Sequence, residues 1–226
     1  MKSTKNLLVL AGAVCLFFTL CSISINAQTV KDINGKVYKT CQISMQEWTT
    51  ENLNVDRFRN GDLIPQVKTD SAWVKAGKAG KPAWCYYTND TANGRKFGKL
   101  YNFYAITDPR GLAPKGWHIP GVGDWSKMVQ ILLGVDVAGI KLKSKTDWKQ
   151  TIKGTNISGF TAIPGGMRSA TGSFKEINSI GQWWTTQGDV GSGVEIWSFV
   201  LNSYTTEVTY NKVNKETGLS VRCVKD

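Results

Sequence analysis

The chain has 226 residues, 41% of them hydrophobic and 20% charged, and no linker or low-complexity tract divides it, so it reads as a single domain around one sizeable core. Its net charge of +11 points to anionic partners, more plausibly acidic polysaccharide or lipid headgroups than nucleic acid, although charge alone serves a merely soluble surface equally well. With one histidine and five cysteines in no CxxC spacing, the common metal sites are excluded and no cofactor is expected.

Residues 1–27 read as a cleaved export signal: Lys2 and Lys5 form a basic start, Leu7 to Leu20 is apolar, and Ala27 is the small residue at the end. The apolar run is short for a bilayer span, and Leu20, in place of a small residue before Cys21, argues against lipidation. Removing two lysines and no acid from +11 leaves +9. The remainder, 28–226, is expected to be one secreted or surface-displayed domain with no transmembrane segment.

Asn34-Gly35 is a hairpin turn, and the alternation of Val37, Lys39, Cys41 and Ile43 against Tyr38, Thr40 and Gln42 predicts a half-buried strand after it, with Gln46 to Thr50 as its partner. Residues 66–82 are polar, with glycines and lysines, and are expected to form a long surface loop. Ala83 to Tyr87 is a short buried strand, and Leu100 to Ile106 has the spacing of a short helix stopped at Asp108-Pro109. Gly111 to Trp125 holds four glycines, two prolines, two tryptophans and the lone His118, and so must be a shaped connection that delivers the chain into a helix. In that helix Trp125, Met128, Val129, Leu132 and Leu133 form one apolar face, Asp124 meets the positive end of the dipole, and Gly134 is the expected C-terminal cap.

Lys141, Lys143, Lys145, Lys149 and Lys153 then surround Trp148, a composition that suits an anionic sugar polymer through charge and ring stacking, and equally an ordinary solvated loop. Nine tryptophans exceed what a core of this size needs, so Trp73, Trp148, Trp183 and Trp184 are candidate sugar-stacking residues, each against the alternative that it is core. Residues 159–166 end a short strand in a tight turn, and 194–201, 206–212 and 219–225 look like a closing antiparallel meander. After the signal three cysteines remain. One disulfide plus one buried thiol is the simplest arrangement in an oxidising compartment, with Cys85–Cys223 preferred and Cys41–Cys223 as the competitor.

The segments Lys36-Val37-Tyr38-Lys39-Thr40, Trp48-Thr49-Thr50-Glu51-Asn52-Leu53, Tyr86 to Asp90, Gly98 to Ala105, Gly116-Trp117-His118-Ile119-Pro120, Gly159-Phe160, Pro164-Gly165-Gly166, Trp183 to Thr186 and Ser220-Val221-Arg222-Cys223 fall in the order and near the spacing of one family. Over nearly the whole chain after Ala27 the sequence resembles the Fibrobacter succinogenes major paralogous domain. The resemblance implies an exported bacterial protein with an α+β fold similar to C-type lectin-like and sulfatase-modifying-factor domains. Such a fold has short antiparallel sheets, one or two helices, long irregular loops, and both termini in one sheet. It makes Trp48, Asn52, Trp117, His118, Pro120, Gly165, Gly166 and Arg222 structural motif residues. Two departures stand out: Trp48-Thr49 replaces a common Trp-Met, and Gly121-Val122-Gly123 replaces a Thr or Ser helix cap.

The same resemblance argues against catalysis, because the reactive cysteine pair of sulfatase-modifying relatives has no counterpart between Tyr204 and Thr217. Nor are the calcium-binding loop motifs of C-type lectins present. No carboxylate pair is spaced for glycoside hydrolysis, and His118 is the only imidazole a triad could use. The expectation is therefore a non-catalytic exported module that binds glycan or another cell-surface macromolecule, with a structural component of an envelope complex as the alternative.

Overall fold

The computed structural model describes residues 28–149, 152–188 and 195–226; the expected signal, residues 1–27, lies outside them. They hold twelve strands and five α-helices, an α+β chain with more helix than the expected one or two. Strands β1 (Thr29–Lys31), β2 (Val37–Ile43) and β3 (Gln46–Thr49) form the hairpins that the Asn34-Gly35 turn and the alternation predict. Two short strands, β6 (Trp117–His118) and β12 (Val224–Lys225), complete an antiparallel five-stranded sheet in the order β1-β2-β3-β12-β6. The first and last strands therefore share one sheet.

The centre of that sheet is buried on both faces. Cys41 pairs with Trp48, Trp48 with Val224 and Val224 with His118, so these four side chains point one way. Trp48 and Val224 pack there with Trp125, Met128, Phe160 and Phe199. Tyr38, Trp117 and Cys223 point the other way, into a second cluster with Tyr101, Leu112, Trp184 and Val221. A three-stranded antiparallel sheet, β11-β10-β9, joins both clusters through β9 (Ile180–Gly188), β10 (Glu195–Asn202) and β11 (Val208–Asn214). Consecutive Trp183 and Trp184 fall on opposite sides of β9 and enter one cluster each. The expected meander thus gains β9 and loses its last member. Leu219 bridges Tyr101, Ser220 bridges Trp183, and the chain runs on to insert β12 between β3 and β6.

Helix α1 (Asp70–Lys78) occupies the stretch read as a surface loop. Thr69 caps it, its Oγ1 accepting from Ala72 N at 3.2 Å, and Trp73 is the one large side chain it buries, too little periodicity for the sequence to signal. A hairpin of β4 (Trp84–Cys85) and β5 (Leu100–Tyr101) flanks α2 (Thr91–Phe97), so the helix expected over 100–106 is shortened to α3 (Phe103–Ile106), capped by Asn102. Pro164 ends no strand. The chain before it is irregular, with Thr161 left-handed at φ +54° and one bridge from Ala162 to Lys143, and a hairpin of β7 (Gly165–Arg168) and β8 (Phe174–Ile177) starts just after it. Gly166 sits at φ +65°, and a Cβ there would lie 2.5 Å from the Lys175 carbonyl oxygen, so no other residue fits.

Helix α4 (Val122–Ile131) buries Trp125, Met128 and Val129 of the expected face, but it ends before Leu132, which is half-buried, and Leu133, which is exposed. Gly121 has no side chain to cap with, but Asp124 Oδ2 accepts from Gly121 N at 2.9 Å and restores half of a capping box. At the other end Leu133 N donates to Gln130 O and Gly134 N to Val129 O, a Schellman closure with Leu133, not Gly134, in the left-handed position at φ +75°. Gly134 starts α5 (Val135–Leu142) instead.

The expected disulfide is not formed: Cys41, Cys85 and Cys223 are all free thiols. Cys85 lies in a third cluster with Trp73, Ala83 and Leu100, apart from that of Cys223. Cys41 and Cys223 are excluded from pairing by the pleat, since Cys41 shares a sheet face with Val224 and Cys223 takes the opposite one.

Candidate functional site

None of the four candidate tryptophans can stack on a ligand. Trp73, Trp148, Trp183 and Trp184 are all buried, and each indole N–H is committed internally, to Glu216 O, Ala162 O, Asn52 Oδ1 and Tyr101 O respectively. Their bulk is needed because three clusters, not one core, must be filled: Trp184 lies in one, Trp148 and Trp183 in the second and Trp73 in the third. Of the nine tryptophans only Trp197 on β10 is partly exposed, with Lys212 Nζ 5.0 Å from its ring.

The lysine cluster also dissolves. Lys143 is fully buried, donates to the carbonyls of Asn202 and Thr205, and lies 5.1 Å from the Trp148 ring; the basic-aromatic pair is internal. Burial pulls its pKa down to about 8. Lys141 Nζ ties down the α4 C-terminus through Leu132 O, leaving Lys145, Lys149 and Lys153 as exposed charges.

The family-motif residues form a buried lattice. Asn52 Oδ1 accepts from Arg222 Nε at 2.7 Å and Trp183 Nε1 at 2.8 Å, while its Nδ2 donates to Phe97 O and Ser220 Oγ. The remaining Arg222 donors go to the carbonyls of Thr49, Phe160 and Thr161. His118 is half-exposed on β6, its Nδ1 2.8 Å from Asp226 Oδ1 and its Nε2 3.3 Å from Asp124 Oδ2, and Pro120 O accepts from Thr186 N. Gly165 lies against Ser220.

Two adjoining clefts lie around Arg59, and a larger hollow of about 410 Å³ lies elsewhere, beside Met167, Lys175 and Lys212. One cleft, about 280 Å³, is lined by Lys31, Asp32, Ile33, Arg59, Leu112 and Lys115, with Ala113 and Pro114 between the last two. Its neighbour, about 320 Å³, shares Arg59, Leu112 and Ala113 and extends past Thr107 and Asp108 to His118 and Thr186. Both are built on the Gly111–Trp125 connection, whose Trp117 and Ile119 are anchored in the core while Lys115 and His118 reach the surface. Gly111 has φ +76°, and a Cβ there would lie 2.4 Å from Arg59 Nε, so the glycine makes room for the guanidinium.

The charges here are unevenly distributed. Arg110, stacked on Phe58 at 4.1 Å, takes Asp108 in a fork of 2.8 and 2.9 Å and Asp62 at 2.9 Å, and these bonds hold both carboxyls below the usual carboxylate range. Asp32 is buried, its carboxylate accepting from Tyr38 Oη, Asn34 N and Lys36 N. Lys31, Arg59 and Lys115 are exposed and form no ion pair among the described residues.

The model of the Fibrobacter succinogenes major domain matches residues 41–225. The chain belongs to that family. No curated protein and no solved structure matches it. In this Fibrobacter succinogenes major domain the motif residues Trp48, Asn52, Trp183 and Arg222 are buried, whereas Lys31, Arg59 and Lys115 come from separate segments with no local pattern to mark them. The only sequence signal near the clefts is the glycine- and proline-rich connection itself.

The three thiols are shifted towards the protonated form. Burial pushes Cys41 up to about 11, and Cys85 and Cys223 up to about 12. Among the described residues no group of three or more His, Cys, Asp or Glu is placed to hold a metal ion, and no helix is long and apolar enough to cross a membrane.

Proposed function

We propose that the protein is an exported, non-catalytic module at the cell surface that binds glycan or another cell-surface macromolecule. The observation that carries this reading is the pair of adjoining clefts sharing Arg59, Leu112 and Ala113, a concave strip with the half-exposed Ile33 at one end and polar groups along its length. The buried, protonated thiols favour binding over cysteine chemistry. A C-type lectin-like fold is the architecture this reading assumes, supported by the sheet in which the first and last strands meet. A glycan array, with heparin and cellulose pull-downs, tests it; no binding to any polymer sinks it.

The second reading, a structural component of an envelope complex, draws on the exposed apolar corner of Ile131, Leu133, Val135 and Val137 where α4 meets α5. Crosslinking that recovers one envelope partner, with glycan binding absent, would favour it.

A further inference from the structure

Resting on the cleft reading above, we propose that Lys31, Arg59 and Lys115 form an oxyanion subsite for the acidic groups of a polysaccharide, with Arg59 as the residue that selects charged over neutral chains. The three cations come from the end of β1, the loop after β3 and the Gly111–Trp125 connection, and they line one cleft of about 280 Å³. Their charge is in excess, because three cations line the cleft against one carboxylate, that of Asp32. Arg110 takes Asp62 and Asp108, and Asp32 is buried under three hydrogen bonds of its own.

Two adjacent cations thus divide the work. Arg110 neutralises the local carboxylates, and Arg59 is left with an open guanidinium face. Gly111 sets the position of that face, because any side chain there would meet Nε and the terminal nitrogens. A guanidinium presents paired N–H groups that match the two oxygens of a carboxylate or a sulfate ester, which an ammonium group does not. Ile33, half-exposed at the cleft rim, is the apolar side chain on which the C–H face of a sugar ring rests, while the Thr107 and Thr186 hydroxyls in the adjoining cleft can meet the next residues of the chain. Uronate carboxylates and sulfate esters share this chemistry, so the experiment separates them.

The test is affinity electrophoresis and calorimetry of the protein against polygalacturonate, dextran sulfate and uncharged dextran, with Arg59→Ala, Arg59→Lys and the double variant Lys75→Ala/Lys81→Ala, two exposed lysines that line neither cleft. The expected result is binding to an acidic polymer but not to dextran, weakened about 10- to 100-fold by Arg59→Ala, only partly restored by Arg59→Lys, and unchanged in the double variant. Preference for polygalacturonate assigns a carboxylate, and preference for dextran sulfate a sulfate ester. Equal losses in Arg59→Ala and the double variant overturn the subsite in favour of diffuse attraction. Binding to dextran that Arg59→Ala leaves intact overturns the subsite while the cleft reading stands; no binding to any polymer overturns both.

Discussion

Arg222 donates through Nε to Asn52 Oδ1 at 2.7 Å, a bond that joins the segment leading into β12 to the turn after β3 alongside the backbone bonds Thr49 N to Cys223 O and Leu53 N to Val221 O. Asn52 Oδ1 also receives the Trp183 indole, so one amide side chain joins the five-stranded sheet to β9. Asn52→Ala leaves a buried guanidinium N–H and an indole N–H without their acceptor and frees Phe97 O of its donor. The expected loss is about 3 to 5 kcal/mol in urea unfolding at neutral pH. A loss under 1 kcal/mol would mean that water or a shifted carbonyl takes over.

Trp117 sits 5% exposed among Tyr38, Leu112, Trp184 and Cys223. Trp117→Ala should cost about 3 to 5 kcal/mol, because the rigid sheet and the proline-rich connection on either side restrict collapse of the cavity. Unchanged melting by calorimetry would refute this.

Leu133 is 76% exposed and holds the left-handed position that closes α4. Leu133→Gly should raise stability by about 0.5 to 1 kcal/mol, since glycine meets no Cβ clash there and little packing is lost. A fall in the urea midpoint would show that the leucine is held by contacts on the exposed α4–α5 corner.

Lys143 carries a proton less readily folded than unfolded, its pKa lowered by burial from 10.5 to about 8. Below pH 8 it is charged in both states, and folding bears the full cost of burying the charge. Between pH 8 and about 10.5 the unfolded chain binds more protons, so this contribution to stability rises with pH. Urea unfolding at pH 7, 8 and 9 should show the wild type gaining on Lys143→Met at the higher values. A constant gap would place the lysine outside this range.

With three free thiols, protein from which residues 1–27 have been removed, denatured and alkylated without reductant, should gain three labels, at Cys41, Cys85 and Cys223. A mass two labels short would restore the disulfide. For Cys41–Cys223 the sheet register allows that only if β12 flips its faces, and for Cys85–Cys223 two separate clusters would have to merge.

Much of the secondary structure was legible locally. Alternation from Val37 to Ile43, the Asn34-Gly35 turn and the Trp125, Met128, Val129 face are signals carried by neighbouring residues, and the spaced motifs marked the family. Helix α1 escaped because one buried tryptophan makes no periodic pattern. The ligand candidates misled for a related reason: composition says that a residue is aromatic or basic, but not which distant segment covers it.

The sequence by itself determined which faces of its strands and of α4 are apolar, because side-chain period is a local property of backbone geometry. Only the tertiary structure decided what those faces meet. It sends Trp183 and Trp184 into opposite cores, sets Cys41 and Cys223 on opposite sides of one sheet, and buries Lys143 over Trp148. It also gives Asp62 and Asp108 to Arg110 and leaves Arg59 open beside Gly111. Each outcome depends on contacts between segments far apart in the chain, set by how the sheets stack and by which hydrogen-bond donors find acceptors once water is excluded.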